Sequence, residues 1–280
     1  MIEAQGLVHE YSRRDENGDV TGIVRAIDGI DIQVKPGAFV AVLGANGSGK
    51  STFARHLNAL LFPTEGTLYI DGIDTSEKEQ VFTVRQRAGM VFQNPDNQII
   101  ASIVEEDVAF GPENMGIPTE QLQKRVTESL KSVGMEKYRR HSPNHLSGGQ
   151  KQKVAIAGIM AMKPKCIVLD EATAMLDPRG RRSVLETVMR LNKEEGITII
   201  LITHYMEEAV EADYVYVLKQ GGLATEGTPR SVFAEGEKLR EWGLELPDIT
   251  RIAQMLRKKG YPIAADTLTE EELISQLLAI

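Results

Sequence analysis

Apolar and polar residues alternate over residues 2–11 and again over 23–34, with a charged, glycine-containing turn near 15–19 between them. A period of two predicts strands with one buried face, so the chain should open with an antiparallel β subdomain. The pattern then changes. Residues 39–43 read Phe-Val-Ala-Val-Leu, an unbroken apolar run that leads straight into glycines and suits a strand covered on both faces. Helical spacing over 50–61 is stopped by Pro63, and short strands are predicted at 67–73 and 90–93. After Asn94-Pro95 the strand signal disappears. Residues 103–110, 120–133 and 149–162 read as helices, separated by breaks at Gly111-Pro112, Gly116, Gly134 and Pro143. A helical subdomain of about 94–165 is therefore expected as an insertion into an α/β core. Strands at 166–169, 197–202 and 214–218 then alternate with helices at 179–193 and 206–212, the order that yields a parallel sheet flanked by helices. From residue 241 the chain is charged and helical in pattern, broken by Pro247, Gly260 and Pro262. That predicts a main domain of 1–240 and a small C-terminal helical appendage of 241–280.

Composition narrows the field. The 280 residues are 42% hydrophobic and 26% charged, enough to build one large core with an appendage. The formal charge is -8 with no concentrated basic run, which argues against a nucleic-acid partner. Cys166 is the single cysteine, so no intrachain disulfide forms and a reducing compartment is expected. The longest apolar runs are strand-sized, and the N-terminus lacks the basic-then-apolar layout of a signal peptide. A membrane role is thus expected to come through a partner.

Two phosphate-handling patterns carry the chemistry. The first is Gly44-Ala45-Asn46-Gly47-Ser48-Gly49-Lys50-Ser51, followed by Thr52, between a buried strand and a helix. Such a loop turns its N–H groups onto a polyphosphate at a helix N-terminus, where Lys50 reaches the β- and γ-phosphates and the Ser51 hydroxyl can ligate Mg²⁺. Asp170 and Glu171 end another apolar strand. Asp170 is the expected partner of the Mg²⁺ shell, and Glu171 is placed to polarise a water for attack on the γ-phosphorus. Without the loop, two surface acids at a strand end would be the simpler reading. His204 ends a second central strand and Gln93 a third, which suits contacts to the γ-phosphate and to the metal respectively. The second pattern is Leu146-Ser147-Gly148-Gly149-Gln150, a glycine pair opening a helix with no lysine and no preceding strand. It is a second anion-binding helix end, suited to closing on a γ-phosphate from another subunit. Tyr11 is a candidate for stacking on adenine, with core packing as the alternative.

Together these residues resemble the nucleotide-binding subunits of ABC transporters over roughly residues 2–235. Walker A is 44–51, the Q-loop residue is Gln93, the signature is 146–150, Walker B is 167–170 followed by Glu171, the D-loop is 175–177, and His204 is the switch histidine. The resemblance implies an α/β P-loop NTPase core of ABC type with a mixed sheet. It also implies a head-to-tail dimer in which Ser147 and Gly149 complete the ATP site of the other subunit. Within that family, the stretches 92–98 and 106–114 resemble the energy-coupling factor (ECF) ATPases and their cobalt-uptake relatives. Ala172 after the glutamate and Met175-Leu176 before Asp177 depart from the commonest ABC pattern and resemble the first of the two ECF ATPase types.

The resemblance implies an ATPase powering uptake of vitamins or transition-metal ions, peripheral to the cytoplasmic face of the cell membrane. Its implied partners are a second ECF-type ATPase, in a heterodimer or alternatively a homodimer, a transmembrane coupling subunit, and a substrate-binding membrane protein. Residues 94–98 are the candidate contact to the membrane partner, and 246–280 a candidate pairing element. A soluble ABC ATPase of translation or DNA repair fits less well, because the chain has one cassette, no heptad run and an acidic balance. A small-molecule P-loop kinase leaves 146–150 and His204 unexplained.

Overall fold

The computed structural model describes residues 1–280, apart from the side chain of Arg14. Strands β1 (Ile2–Arg14) and β2 (Val20–Val34) pair antiparallel, and β3 (Phe39–Leu43) follows with all five residues buried. Helix α1 (Lys50–Leu57) leads to β4 (Glu65–Ile70), β5 (Ile73–Asp74), α2 (Val81–Arg87) and β6 (Ala88–Val91). The helical insertion holds α3 (Val104–Asn114), α4 (Thr119–Ser132) and α5 (Gly148–Ala161). The core resumes with β7 (Cys166–Asp170), α6 (Pro178–Glu195), β8 (Thr198–Ile202), α7 (Met206–Ala209), β9 (Tyr214–Lys219) and β10 (Gly222–Gly227). Helices α8 (Pro229–Ala234), α9 (Gly236–Glu241), α10 (Asp248–Lys258) and α11 (Glu270–Leu278) complete the chain.

Two sheets form. One is antiparallel, in the order β2-β1-β4-β5; the other is mixed, in the order β10-β9-β3-β8-β7-β6, parallel except for the β10–β9 edge pair. Side chains alternate across the central strands. Val40, Val42, Val168, Ile200 and Ile202 face the antiparallel sheet and α1, where they meet Ile27, Ile30, Phe53 and Leu57. Phe39, Ile167, Leu169, Ile199 and Leu201 face the other way, onto α5, α6 and the helical insertion. A strand clothed on both faces has few polar positions to give up, which is why β3 reads as an unbroken apolar run and β7 and β8 are polar only at one terminal residue, Asp170 and Thr198 respectively. Helices α10 and α11 pack on each other around Ala253, Ile263 and Leu273, while Leu244, Leu246 and Leu268 join the cluster beneath β9. Among the described residues no helix is long and apolar enough to cross a membrane.

Several boundaries differ from expectation. Helix α1 stops at Leu57 rather than 61, because Asn58 turns its side-chain amide onto the Ala88 carbonyl and Ala59 adopts φ 49°. The predicted break at Gly111-Pro112 lies inside α3. Pro112 sits in the last turn and forfeits a single helical bond, while Gly111 lets Met162 approach within 2.9 Å of where a Cβ would stand. The strand expected over 67–73 is a hairpin, β4–β5, turning at Asp71 (φ 53°) and Gly72 (φ 79°). Helix α7 is one turn rather than seven residues, and α2, β10, α8 and α9 add to the elements that the sequence pattern predicts.

Leu130 on α4 is fully buried in the core shared with the helical insertion, whereas Leu278 is 84% exposed. Leu130→Ala should lower the unfolding free energy by about 2–5 kcal/mol in a urea titration. Leu278→Ala should shift it by less than about 0.5 kcal/mol. Equal effects would contradict the placement of α4.

Candidate functional site

Strand register brings the site together. Val42 of β3 and Asp170 of β7 both lie opposite Ile202 of β8, and Val91 of β6 lies opposite Leu169. The next residues on each strand are therefore delivered to one edge: Gly44 from β3, Glu171 from β7, His204 from β8 and Gln93 from β6. In an open α/β sheet that carboxyl edge is where ligands bind. A cleft of about 590 Å³ opens there, lined by Gly44, Ala45, Asn46, Gln93, Glu171 and His204. Gly243, Leu244, Glu245 and Leu246, from the start of the C-terminal segment, line it as well.

The loop over 44–51 is shaped around close backbone approaches. A Cβ on Gly44 (φ 158°) would lie 2.5 Å from the Leu218 carbonyl oxygen, and one on Gly49 (φ 105°) would lie 2.4 Å from that of Ala26. The loop is further pinned by the Gly221 N–H, which donates to the Ser48 carbonyl at 3.1 Å. Lys50 is buried, and its Nζ donates to the carbonyls of Gly44 (2.8 Å) and Ala45 (3.1 Å). Burial holds its pKa below the ordinary lysine value, against the opposing pull of Glu171 and Asp170. The Ser48 hydroxyl is buried without a partner among the described residues. A cradle that excludes Cβ atoms and presents an unpaired hydroxyl and a buried cation fits a polyphosphate.

Ser51 Oγ donates to Asp170 Oδ1 at 3.0 Å, placing a hydroxyl and a carboxylate side by side. Burial pushes the Asp170 carboxyl above its ordinary range, and the bond from Ser51 only partly offsets this. No group of three or more His, Cys, Asp or Glu side chains among the described residues could hold a metal unaided. A hydroxyl and one carboxylate suit a hard ion such as Mg²⁺ that takes its remaining ligands from phosphate and water. Glu171 adopts φ 50°, a left-handed conformation that costs a non-glycine residue roughly 1–2 kcal/mol. Its N–H donates to the Ile202 carbonyl at 3.0 Å, and its Oε2 lies 3.6 Å from His204 Nδ1. Strain of this kind clusters where a side chain must be aimed.

Tyr11, half-exposed on β1, stands beside the start of α1, its hydroxyl 3.5 Å from Thr52 Oγ1 and its ring edge-on to His9. The expected residues 147–150 do not line the cleft. Ser147 caps α5, with its Oγ accepting from the Gln150 N–H while Gln150 Oε1 accepts from the Ser147 N–H. Ser147 and Gly148 are exposed. Gly149 rests against the start of α6, where a Cβ would come within 2.9 Å of Gly180 Cα.

The sequence profile of the ABC transporter family matches residues 27–174. The energy-coupling factor transporter ATP-binding protein EcfA1 of Clostridium perfringens is 53% identical over 277 residues, 99% of this chain and 97% of its own. The EcfA1 of Caldanaerobacter subterraneus is 58% identical over 274 residues, covering 98% and 97% respectively. The chain belongs to the energy-coupling factor branch of the ABC transporter ATPases. It is an ATP-binding subunit, an ATPase coupled to transport. Among solved structures, cbiO1 from Clostridium perfringens, part of the ABC transporter complex cbiONQ, superposes with TM-score 0.76 at 36% identity, covering 91% of this chain and 98% of that one. The dimeric cassette MJ0796, bound to ADP and Pi, gives 0.71 at 31% identity over 82% of this chain and 99% of its own. The ABC-type α/β fold expected from the motifs is the one observed.

Some neighbours of this ATPase site escape a motif reading. Glu208 is buried on α7, where Thr173 Oγ1 donates to its Oε1 at 2.6 Å and Arg181 Nε stands 3.8 Å away. Burial pushes its carboxyl upward. The Arg181 guanidinium stacks 3.4 Å over the ring of Tyr205, the neighbour of His204. These contacts join the segment after Glu171 to the segment after His204. Only the unusual burial of a glutamate could have signalled them, and burial is not visible in one sequence.

The raised Asp170 carboxyl binds its proton more tightly in the folded chain than in the unfolded one. The resulting stability is present below the ordinary carboxylate pKa and is lost as pH rises through the raised value. Asp170→Asn removes that loss and keeps an acceptor for Ser51. Without nucleotide, the variant should match or exceed the parent's Tm at pH 7, with the gap narrowing toward a pH of about 4. A variant melting clearly below the parent at neutral pH would contradict the burial cost assigned to Asp170.

Proposed function

We propose that this ATPase powers an importer of vitamins or transition-metal ions from the cytoplasmic face of the cell membrane. In this reading it works in a pair with a second ECF-type ATPase, of the other type or identical. The carrying observation is the division of the site. One strand edge gathers the loop 44–51, Asp170, Glu171, Gln93 and His204, while Ser147 and Gly148, exposed at the start of α5 on another subdomain, line no part of that cleft. A triphosphate held by the first set leaves its γ-phosphate open to the glycine-led helix end of a second chain.

The roles follow from chemistry. Tyr11 stacks on adenine. The N–H groups of the loop, with Asn46, Ser48 and Thr52 around it, hold the phosphates, and Lys50 turns from the loop carbonyls to the β- and γ-oxygens. Ser51 and Asp170, together with Gln93, would hold Mg²⁺, which would supply charge neutralisation on those oxygens. Glu171 takes a proton from the attacking water, and His204 holds Glu171 and the γ-phosphate in line. Positioning and charge stabilisation, rather than covalent chemistry, account for the rate. Pairing then follows nucleotide state: ATP closes the pair and hydrolysis reopens it.

Two apolar surfaces support the partner assignments. A groove of about 490 Å³ between α2, β6 and the helical insertion exposes Phe82, Phe92, Ile100 and Phe110 beside residues 92–98, and fits a helix end of the transmembrane coupling subunit. Ile252, Met255, Ile274, Leu277 and Leu278 are exposed on α10 and α11, which supports a pairing role for the C-terminal segment.

Glu171→Gln should keep ATP affinity while turnover falls by roughly 10²–10⁴, since an amide is no base. Parent-like turnover would remove Glu171 from its role. Ser147→Arg should bind ATP normally yet fail to close in nucleotide-dependent small-angle scattering. Normal closure by this variant would end the reading in which Ser147 acts across an interface.

A further inference from the structure

Gln152 lies on the second turn of α5 and is fully buried. Its Nε2 donates two hydrogen bonds, to the Phe92 carbonyl at 2.8 Å and to the Ala172 carbonyl at 2.7 Å. Phe92 immediately precedes Gln93, and Ala172 immediately follows Glu171. One side-chain amide thus bridges the loops leaving β6 and β7, from the helix that Ser147 caps.

The orientation of that amide is forced. Both partners are carbonyl acceptors, so the NH₂ end must face them, and Oε1 is left buried with no partner among the described residues. An orphaned buried acceptor is unfavourable, so the amide carries a cost at Oε1 while its Nε2 satisfies the two loop carbonyls. Lys151 adds a second tie from α5 to the same loop, its Nζ 2.5 Å from Asp96 Oδ1.

We propose that Gln152 is a positioning residue for ATP hydrolysis: it fixes the spacing between Gln93 and Glu171 and locks both to the helix that begins at Ser147. A rotation of α5 is carried directly to the two carbonyls, so the γ-phosphate side of the site registers where the glycine-led helix end stands. The inference rests on the role given to Glu171 above.

The test uses the full chain with ATP and Mg²⁺. Gln152→Met keeps the volume and removes both donors. ATP affinity and KM should stay within about twofold while kcat falls roughly tenfold or more, as expected when a reacting group is displaced without loss of binding. Gln152→Glu separates positioning from packing. Its neutral form offers one O–H donor and its ionised form none, so its kcat relative to the parent should climb as pH falls, whereas the ratio for Gln152→Met stays flat. Parent-like kcat in both variants would overturn the proposal. So would a parallel loss of kcat, KM and Tm with no pH dependence in the Glu variant. If Glu171→Gln is inactive and Gln152→Met is not, the positioning inference alone fails. Full activity in Glu171→Gln would instead point to the role of Glu171 as the error.

Discussion

Because β3, β8, β7 and β6 run parallel with Val42, Asp170 and Ile202 abreast, their C-terminal ends leave the sheet at one level. Every chemical group of the ATPase site depends on that register. A parallel ladder has evenly spaced bonds, so a slip of one residue would move each strand end by about 3.3 Å and reverse the faces of its side chains. The slip is prevented from both sides. Val40, Val168 and Ile200 are committed to the core under the antiparallel sheet, and Phe39, Ile167 and Ile199 to the core under the helices.

On this rigid edge the molecule holds its charges away from water. Lys50 and Asp170 are both displaced by burial in the direction that disfavours their ionised forms. A phosphate beside Lys50 and a divalent ion beside Asp170 would each favour the ionised form that burial disfavours. Glu171 adds backbone strain in the left-handed region, held by its N–H bond to Ile202.

The motifs were legible because their chemistry is local. A glycine-rich loop before a lysine, an acidic pair ending an apolar run and a Ser-Gly-Gly-Gln helix start each declare themselves within a few residues. Boundaries were less legible where distant atoms decide them. Pro112 is accommodated in α3 because the helix ends two residues later, and Asn58 ends α1 by reaching the Ala88 carbonyl. The β9–β10 hairpin turns on Gln220 and Gly221, both at positive φ, and its weak strand β10 has no buried residue to mark it.

Nucleotide chemistry, the α/β class and the family can be read from residue order, since these rest on residue types at short spacing and on the period of burial. Which strand ends stand together is visible in the folded structure. It alone showed that Ser147 to Gln150 lie off the cleft, that residues 243–246 help to line it, and that Gln152 and Glu208 bridge the loops around it. Those facts follow from sheet order and from buried hydrogen bonds between residues 20 to 60 positions apart. No local pattern encodes such pairings, because each partner is ordinary in its own segment and becomes decisive only when desolvated beside the other.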